Sequence, residues 1–223
     1  MLNFRELTYG NIKGGKLFRS ATLYNLSQED RELLINKNIK TIVDLRSPEE
    51  IDSKPDTIIE GIDDISLTLS VIDDAKSVVY CGLELPDLIE CYQQLVAINL
   101  KDTWSKIFDL LLNNDGGFLF HCSQGKDRTG VVIAIILYAL GIDKKTIIED
   151  YLLTNQSPVF FFDEKTPKEI QEILADYFSA KVEYLNAAFD YIDEAYGSFN
   201  NFLYQCCSLD DNKLKLLKQK FLK

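Results

Sequence analysis

Residues 121 to 130 read His-Cys-Ser-Gln-Gly-Lys-Asp-Arg-Thr-Gly. A nucleophile, a forked cation and glycines within ten positions suit chemistry on a bound oxyanion. Cys122 and Arg128 are separated by five residues, with Gly125 among them. If that stretch curls around an anion at the start of a helix, its N–H groups point inward and the helix dipole favours negative charge. A cysteine thiol ordinarily ionises near pH ~8.5, and a helix N-terminus with neighbouring cations draws it toward the thiolate. Cys122 is therefore the candidate nucleophile, attacking phosphorus to give a phosphocysteine. Arg128 offers a planar fork that grips two phosphoryl oxygens at once, which a lysine does not. Gly125 allows close backbone approach, and Ser123, Gln124, Gly125, Lys126, Asp127 and Arg128 make up the candidate phosphate cradle. Thr129 is placed to donate its hydroxyl toward the sulfur, and His121 to orient the loop through ring hydrogen bonds. Backbone donors and cations supply the positive field, so neither a metal nor a cofactor is called for.

Competing readings of the same residues fail on sequence. A nucleotide-binding P-loop needs Ser or Thr after Gly-Lys, and here Gly125-Lys126 is followed by Asp127, with Phe120 where the first glycine would stand. The other cysteines, Cys81, Cys91, Cys206 and Cys207, read as small buried hydrophobes. No CxxC pair occurs and there is one histidine, which argues against a zinc site; an odd, irregular cysteine set suits a reducing cytoplasm. No resolving thiol is placed beside Cys122, which ranks sulfur transfer or arsenate reduction last.

The loop must be held by its neighbours. Phe118–His121 predicts a short buried strand and Thr129–Leu140 a helix, so the loop lies at the carboxyl end of a strand, where ligands of open α/β sheets collect. Further strands are expected at Lys16–Arg19, Thr41–Leu45 and Ile62–Leu69. Helices are expected from a Ser27 cap to Asn38, from Ser47-Pro48, over Leu85–Asn99, over Asp102–Asn114 with Asp102 as cap, and over Asp143–Asn155. Others follow from a capping box at Thr166-Pro167-Lys168-Glu169 toward Phe178, over Lys181–Tyr196 ending at Gly197, and over Asp210–Lys223. Strands interleaved with helices, then a helical C-terminal half, imply an α/β fold with a central twisted sheet flanked by helices, in a single domain over residues 1–223.

Bulk composition agrees. The 223 residues are 46% hydrophobic and 26% charged, ordinary for a globular chain. A net charge of −11 disfavours nucleic acid and stable association with anionic membranes. The N-terminus lacks a signal-peptide pattern, and the apolar run Val131–Leu140 is too short to span a bilayer. The lysines of the last segment read as a solvated helix face. The sequence dictates no oligomeric state.

The segment His121–Gly130 resembles the loop His-Cys-x-x-Gly-Lys-Asp-Arg-Thr-Gly of the bacterial tyrosine/serine phosphatases, within the cysteine-based protein tyrosine phosphatase superfamily. Leu17-Phe18-Arg19-Ser20, Asp44-Leu45-Arg46-Ser47 with Glu49 or Glu50, and Glu183 to Ser198 are similar to three further stretches of that family. The resemblance covers nearly the whole chain. It implies the phosphatase fold and hydrolysis of phosphotyrosine, phosphoserine/threonine or phosphoinositide on phosphorylated protein or lipid substrates. It also suggests a catalytic role for Asp127 as general acid, with Asp73 or Asp74, on the loop after the Ile62–Leu69 strand, as the alternative that swings toward the leaving group. Lys126 adds charge at the pocket rim, as in similar loops that accept inositol phospholipids. The interval Asp73–Asn99 is short for the family's helical lid, so any lid within Leu85–Asn99 is reduced. Asp44 and Arg46 are expected as an ion pair beneath the site. The reading from another class is a phosphate-reading binding module with the same fold and little catalysis.

Overall fold

The computed structural model describes residues 1–69, 76–157 and 166–223. Its strands are β1 (Arg5–Glu6), β2 (Leu17–Ser20), β3 (Ile39–Asp44), β4 (Asp63–Ser66), β5 (Ser77–Tyr80), β6 (Leu83–Pro86) and β7 (Gly117–His121). Five of them form one sheet in the order β1-β2-β7-β3-β4, parallel except for β1 at the edge. Every residue of β7 is buried, as expected of a central strand with both faces covered. Side chains alternate across it. Phe118 and Phe120 join Leu17, Val43 and Leu45 in the larger core, while Leu119 joins Phe18 and Ile42 in a smaller one on the other face.

Helices α1 (Gln28–Asn36) and α2 (Pro48–Ser53) follow β2 and β3; α3 (Leu88–Gln94) and α4 (Lys101–Asn113) precede β7. After β7 come α5 (Asp127–Ala139), α6 (Lys144–Leu152), α7 (Lys168–Tyr177), α8 (Val182–Tyr196), α9 (Phe199–Gln205) and α10 (Asp211–Phe221). Leu34 of α1 closes the smaller core; Trp104, Ile107 and Phe108 of α4, Leu185 and Ile192 of α8, and Phe221 of α10 fill the larger. All of α5 is buried except Asp127 and Tyr138, so this helix is embedded against β7. No helix among the described residues is long and apolar enough to cross a membrane.

Several local expectations hold. Ser27 and Ser47 cap their helices through side-chain oxygens; the structure adds a cap at Asp143 and a complete capping box between Ser47 and Glu50. Gly197 ends α8 in the left-handed conformation, φ 75°. Others are corrected. Asp102 is not a cap: a 3₁₀ turn over Ile98–Leu100 runs into α4 at Lys101, with Leu100 at the cap position. Thr166 opens no capping box, because Pro167 is itself the extended residue before the helix. Leu85 and Pro86 belong to a hairpin, β5 to β6, turned by Cys81 (φ 48°) and Gly82 (φ 83°). Cys81 is therefore exposed rather than core. On α10, Lys220 is more than a solvated charge: its ammonium donates to Leu112 O (3.1 Å) and to Asn114 O at the carboxyl end of α4.

Candidate active site

The loop after β7 is shaped by bonds to its carbonyls. Ser20 of β2 and Asp44 of β3 both pair with His121, so the chain leaves the sheet between two strand ends. Three successive carbonyls are then tied to the same side. Ser123 O accepts from Thr22 N (3.2 Å), Gln124 O from Asn3 Nδ2 (3.3 Å), and Gly125 O from both Asn3 Nδ2 (2.8 Å) and Arg19 Nη2 (2.7 Å). A trans peptide points N–H opposite to C=O, so the N–H groups of Gln124, Gly125 and Lys126 face the concave side of the loop. Arg19 is fully buried and held by Asp150 Oδ2 at 2.6 Å. Burial works against the Asp150 charge, yet Arg19, Arg5 and Tyr9 more than offset it and hold its pKa below the ordinary carboxylate value.

Gly125 is required twice over. Its φ is +64°, and a Cβ there would lie 2.2 Å from Ser20 O and 2.5 Å from Ser20 C, both backbone atoms. Backbone strain of this kind costs about 1–3 kcal/mol, so Gly125→Ala is expected to lower the melting temperature by about 5 °C or more and to cut catalytic turnover with it. A thermal melt beside an activity assay checks this; an unchanged melt with full turnover would mean that the loop absorbs the methyl group.

Arg128 (8% exposed) projects from the first turn of α5, and its fork closes on one carboxylate: Nη1 lies 2.5 Å from Glu50 Oε2 and Nη2 2.8 Å from Oε1. Ser123 Oγ donates to Oε1 at 2.5 Å, and the capping box aims Glu50 by a bond from Ser47 N (2.9 Å). Burial pushes the Glu50 carboxyl up, but Arg128 and Ser123 outweigh it and hold its pKa at about 2. For Arg128, burial works downward, while Glu50, Cys122 and Asp127 raise its pKa above the ordinary value. A guanidinium has five N–H donors; Glu50 takes two and leaves three for an oxyanion.

These groups surround a cavity of about 420 Å³. Cys122, Ser123, Gln124, Asp127 and Arg128 form its polar floor, with Ser47 and Glu50 beside them. Pro86, Leu88, Cys91, Tyr92, Leu95 and Phe178 form a largely apolar wall. The segment expected to hold a reduced lid thus supplies a wall, through α3 packed against α8. Cys122 itself is 2% exposed. Cys91 shares the cavity, which sequence gave no reason to expect; burial, then Asp127, pushes its thiol up to about 11, so it stands as a protonated neighbour.

Asp127, the first residue of α5, keeps one-third of its side chain exposed in the cavity. Its Oδ1 accepts a hydrogen bond from Tyr92 OH (2.6 Å) and lies 3.3 Å from Lys126 Nζ. Tyr92 OH in turn meets Tyr151 OH at 2.6 Å. Lys126 is not at the rim: it is 2% exposed, and its ammonium donates to Phe178 O at 2.5 Å. Thr129 Oγ1 is buried and makes no hydrogen bond to any described residue, so the expected donation to the sulfur is not made. His121 supports the loop through its carbonyl, which accepts from Leu45 N at 3.0 Å, rather than through its ring. Its Nε2 lies 2.8 Å from Asp56 Oδ2 without hydrogen-bond alignment. Asp73 and Asp74 lie outside the described residues.

Asp44, Asp56 and His121 place donor atoms close enough to suggest a cation site. Arg46 already fills it, with Nη2 at 2.7 Å from Asp44 Oδ2 and 2.9 Å from Asp56 Oδ1. The expected Asp44–Arg46 pair is therefore present, and the cluster is an ion-pair network below the sheet end. Sequence reasoning missed Asn3, Arg19, Tyr92 and Asp150 as parts of the site. For Glu50 a signal existed, since it stands three residues after Ser47 in a capping box.

The chain is also similar to known proteins. A family model described as "Tyrosine phosphatase family" matches residues 1–223. The chain is 29% identical over 247 aligned residues to the triple specificity protein phosphatase PtpB of Mycobacterium tuberculosis, covering 90% of each protein. It is also 29% identical over 146 residues to a tyrosine-protein phosphatase of Nostoc commune, covering 64% of this chain and 49% of that one. Among solved structures, the core catalytic domain of the PP-IP phosphatase SIW14 of S. cerevisiae aligns at 18% identity and a TM-score of 0.44, covering 90% of this chain and 94% of that one. With the family model matched from end to end, this chain belongs to the tyrosine phosphatase family and is a phosphatase.

Proposed function

We propose that the chain hydrolyses phosphate monoesters, phosphotyrosine foremost, through a phosphocysteine on Cys122. The observation that carries this is the set of three loop carbonyls tied away from the cavity, which turns their amides toward an anion resting above Cys122 beside Arg128. Cys122 Sγ attacks phosphorus as the thiolate. The bond from phosphorus to the ester oxygen breaks, and that oxygen leaves with the electron pair and takes the proton of Asp127. Water then attacks the phosphocysteine and gives its proton to the Asp127 carboxylate, and the thiolate departs with inorganic phosphate as product. The loop amides and the three remaining Arg128 donors hold the equatorial oxygens throughout.

Phosphotyrosine comes first among substrates because the wall of Pro86, Leu88, Leu95 and Phe178 offers an apolar face to a flat ring. Phosphoserine/threonine proteins and phosphoinositides are the further substrates; the mycobacterial relative is itself named a triple specificity protein phosphatase. We place the protein in the cytoplasm as one catalytic domain, a setting supported by its free thiols. General acid catalysis contributes about 10²–10⁴-fold. Asp127→Asn is therefore expected to lower kcat on a phosphotyrosine peptide by that factor, and the double variant Asp73→Asn/Asp74→Asn to stay near wild type. The reverse order would move the acid to the Asp73–Asp74 loop.

A further inference from the structure

We propose that Tyr92 is a positioning residue that fixes which oxygen of Asp127 carries the catalytic proton. This rests on the assignment of Asp127 as general acid. Tyr92 is completely buried on α3, with its ring tilted against Tyr184 (5.8 Å between centroids) and edge-on to Tyr151 (6.2 Å). A phenol has one proton to donate. Tyr92 gives it to Asp127 Oδ1 at 2.6 Å, so at the 2.6 Å contact with Tyr151 the donor is Tyr151. The chain therefore runs one way, from Tyr151 through Tyr92 to Asp127.

The second group at Oδ1 is Lys126 Nζ, 3.3 Å away, an ammonium that can only donate. A proton on Oδ1 would confront both donors. Oδ2 accepts no hydrogen bond from any described residue, and the carboxyl lines the cavity. The acid proton accordingly resides on Oδ2, where a departing ester oxygen can take it. The titratable groups around Asp127 include Lys126 and Arg128 from its own turn, Cys122 on the same cavity floor, Cys91 and Tyr92 from α3, and Tyr151 from α6. Of these, the two tyrosines form the neutral chain that can orient the carboxyl without adding charge.

The test compares two substrates on one enzyme preparation. Phenyl phosphate releases a basic phenolate and needs the proton; p-nitrophenyl phosphate releases a stabilised phenolate and needs it far less. Tyr92→Phe is expected to lower kcat on phenyl phosphate by about tenfold or more, the scale of a lost hydrogen bond to a charged group, and on p-nitrophenyl phosphate by only about twofold. Tyr151→Phe should move the ratio the same way by about threefold. The ratio is independent of how much protein is folded, and Tyr151→Phe keeps the test open if Tyr92→Phe does not fold. Equal losses on both substrates, or an unchanged ratio in both variants, would overturn the role of Tyr92. Asp127→Asn is measured alongside: if it shows no dependence on the leaving group, the acid assignment itself fails, whereas a dependence there without one in the tyrosine variants sinks only this inference.

Discussion

Replacing Cys122 by serine is expected to remove turnover almost entirely, by a factor on the order of 10⁵–10⁶ in kcat, as when other covalent catalysts lose their nucleophile. The residue is 2% exposed and its hydroxyl replacement is smaller, so packing should change little. What changes is ionisation. An alcohol is far harder to ionise than a thiol, and among the described residues no basic side chain is hydrogen-bonded to residue 122 to take its proton. Anion binding should survive, because the cradle is backbone and arginine. Tungstate should therefore still raise the melting temperature of Cys122→Ser. Turnover at the wild-type level in this variant would discard the phosphocysteine route. Wild-type protein that binds phosphopeptide without turning it over would favour the phosphate-reading module instead.

The second large effect is expected at Arg128. Lysine keeps the charge but not the fork. Arg128→Lys loses the two-point contact with Glu50, whose bonds are 2.5 and 2.8 Å, and it loses the paired donors left for phosphate. Removing one preorganised donor from a developing oxyanion costs about 10²–10³-fold. The loss in kcat/KM should reach at least about 10³-fold, because two donors go and Ser123 is left alone on Glu50. Steady-state kinetics with phosphotyrosine peptide measure it, and a loss below tenfold would show that the loop amides alone carry the transition state.

The candidate site was legible because its main residues are contiguous. Cys122, Gly125 and Arg128 lie on one strand–loop–helix passage, and apolar residues on both sides marked β7 and α5 as buried. Local caps at Ser27 and Ser47 were readable for the same reason. The supports were not. Asn3, Arg19 and Asp150 meet the loop from 100 or more residues away or through one another, and no local pattern encodes such meetings. The hairpin β5–β6 escaped notice because its half-exposed alternation is only four residues long and its turn begins with a cysteine. Lys126 shows a subtler limit: sequence gave its charge, but only the first turn of α5 decides that it faces Phe178 while Asp127 faces the cavity.

Peptides that are anchored from behind have little left to rearrange when a ligand arrives. Since Thr22, Asn3 and Arg19 already immobilise the carbonyls of Ser123, Gln124 and Gly125, an incoming phosphate finds the amides oriented and forfeits little chain entropy in reaching them. Capture by this loop is then limited by the anion's approach into the hollow, and the binding energy of the rest of the substrate stays available for aligning the ester bond with the sulfur.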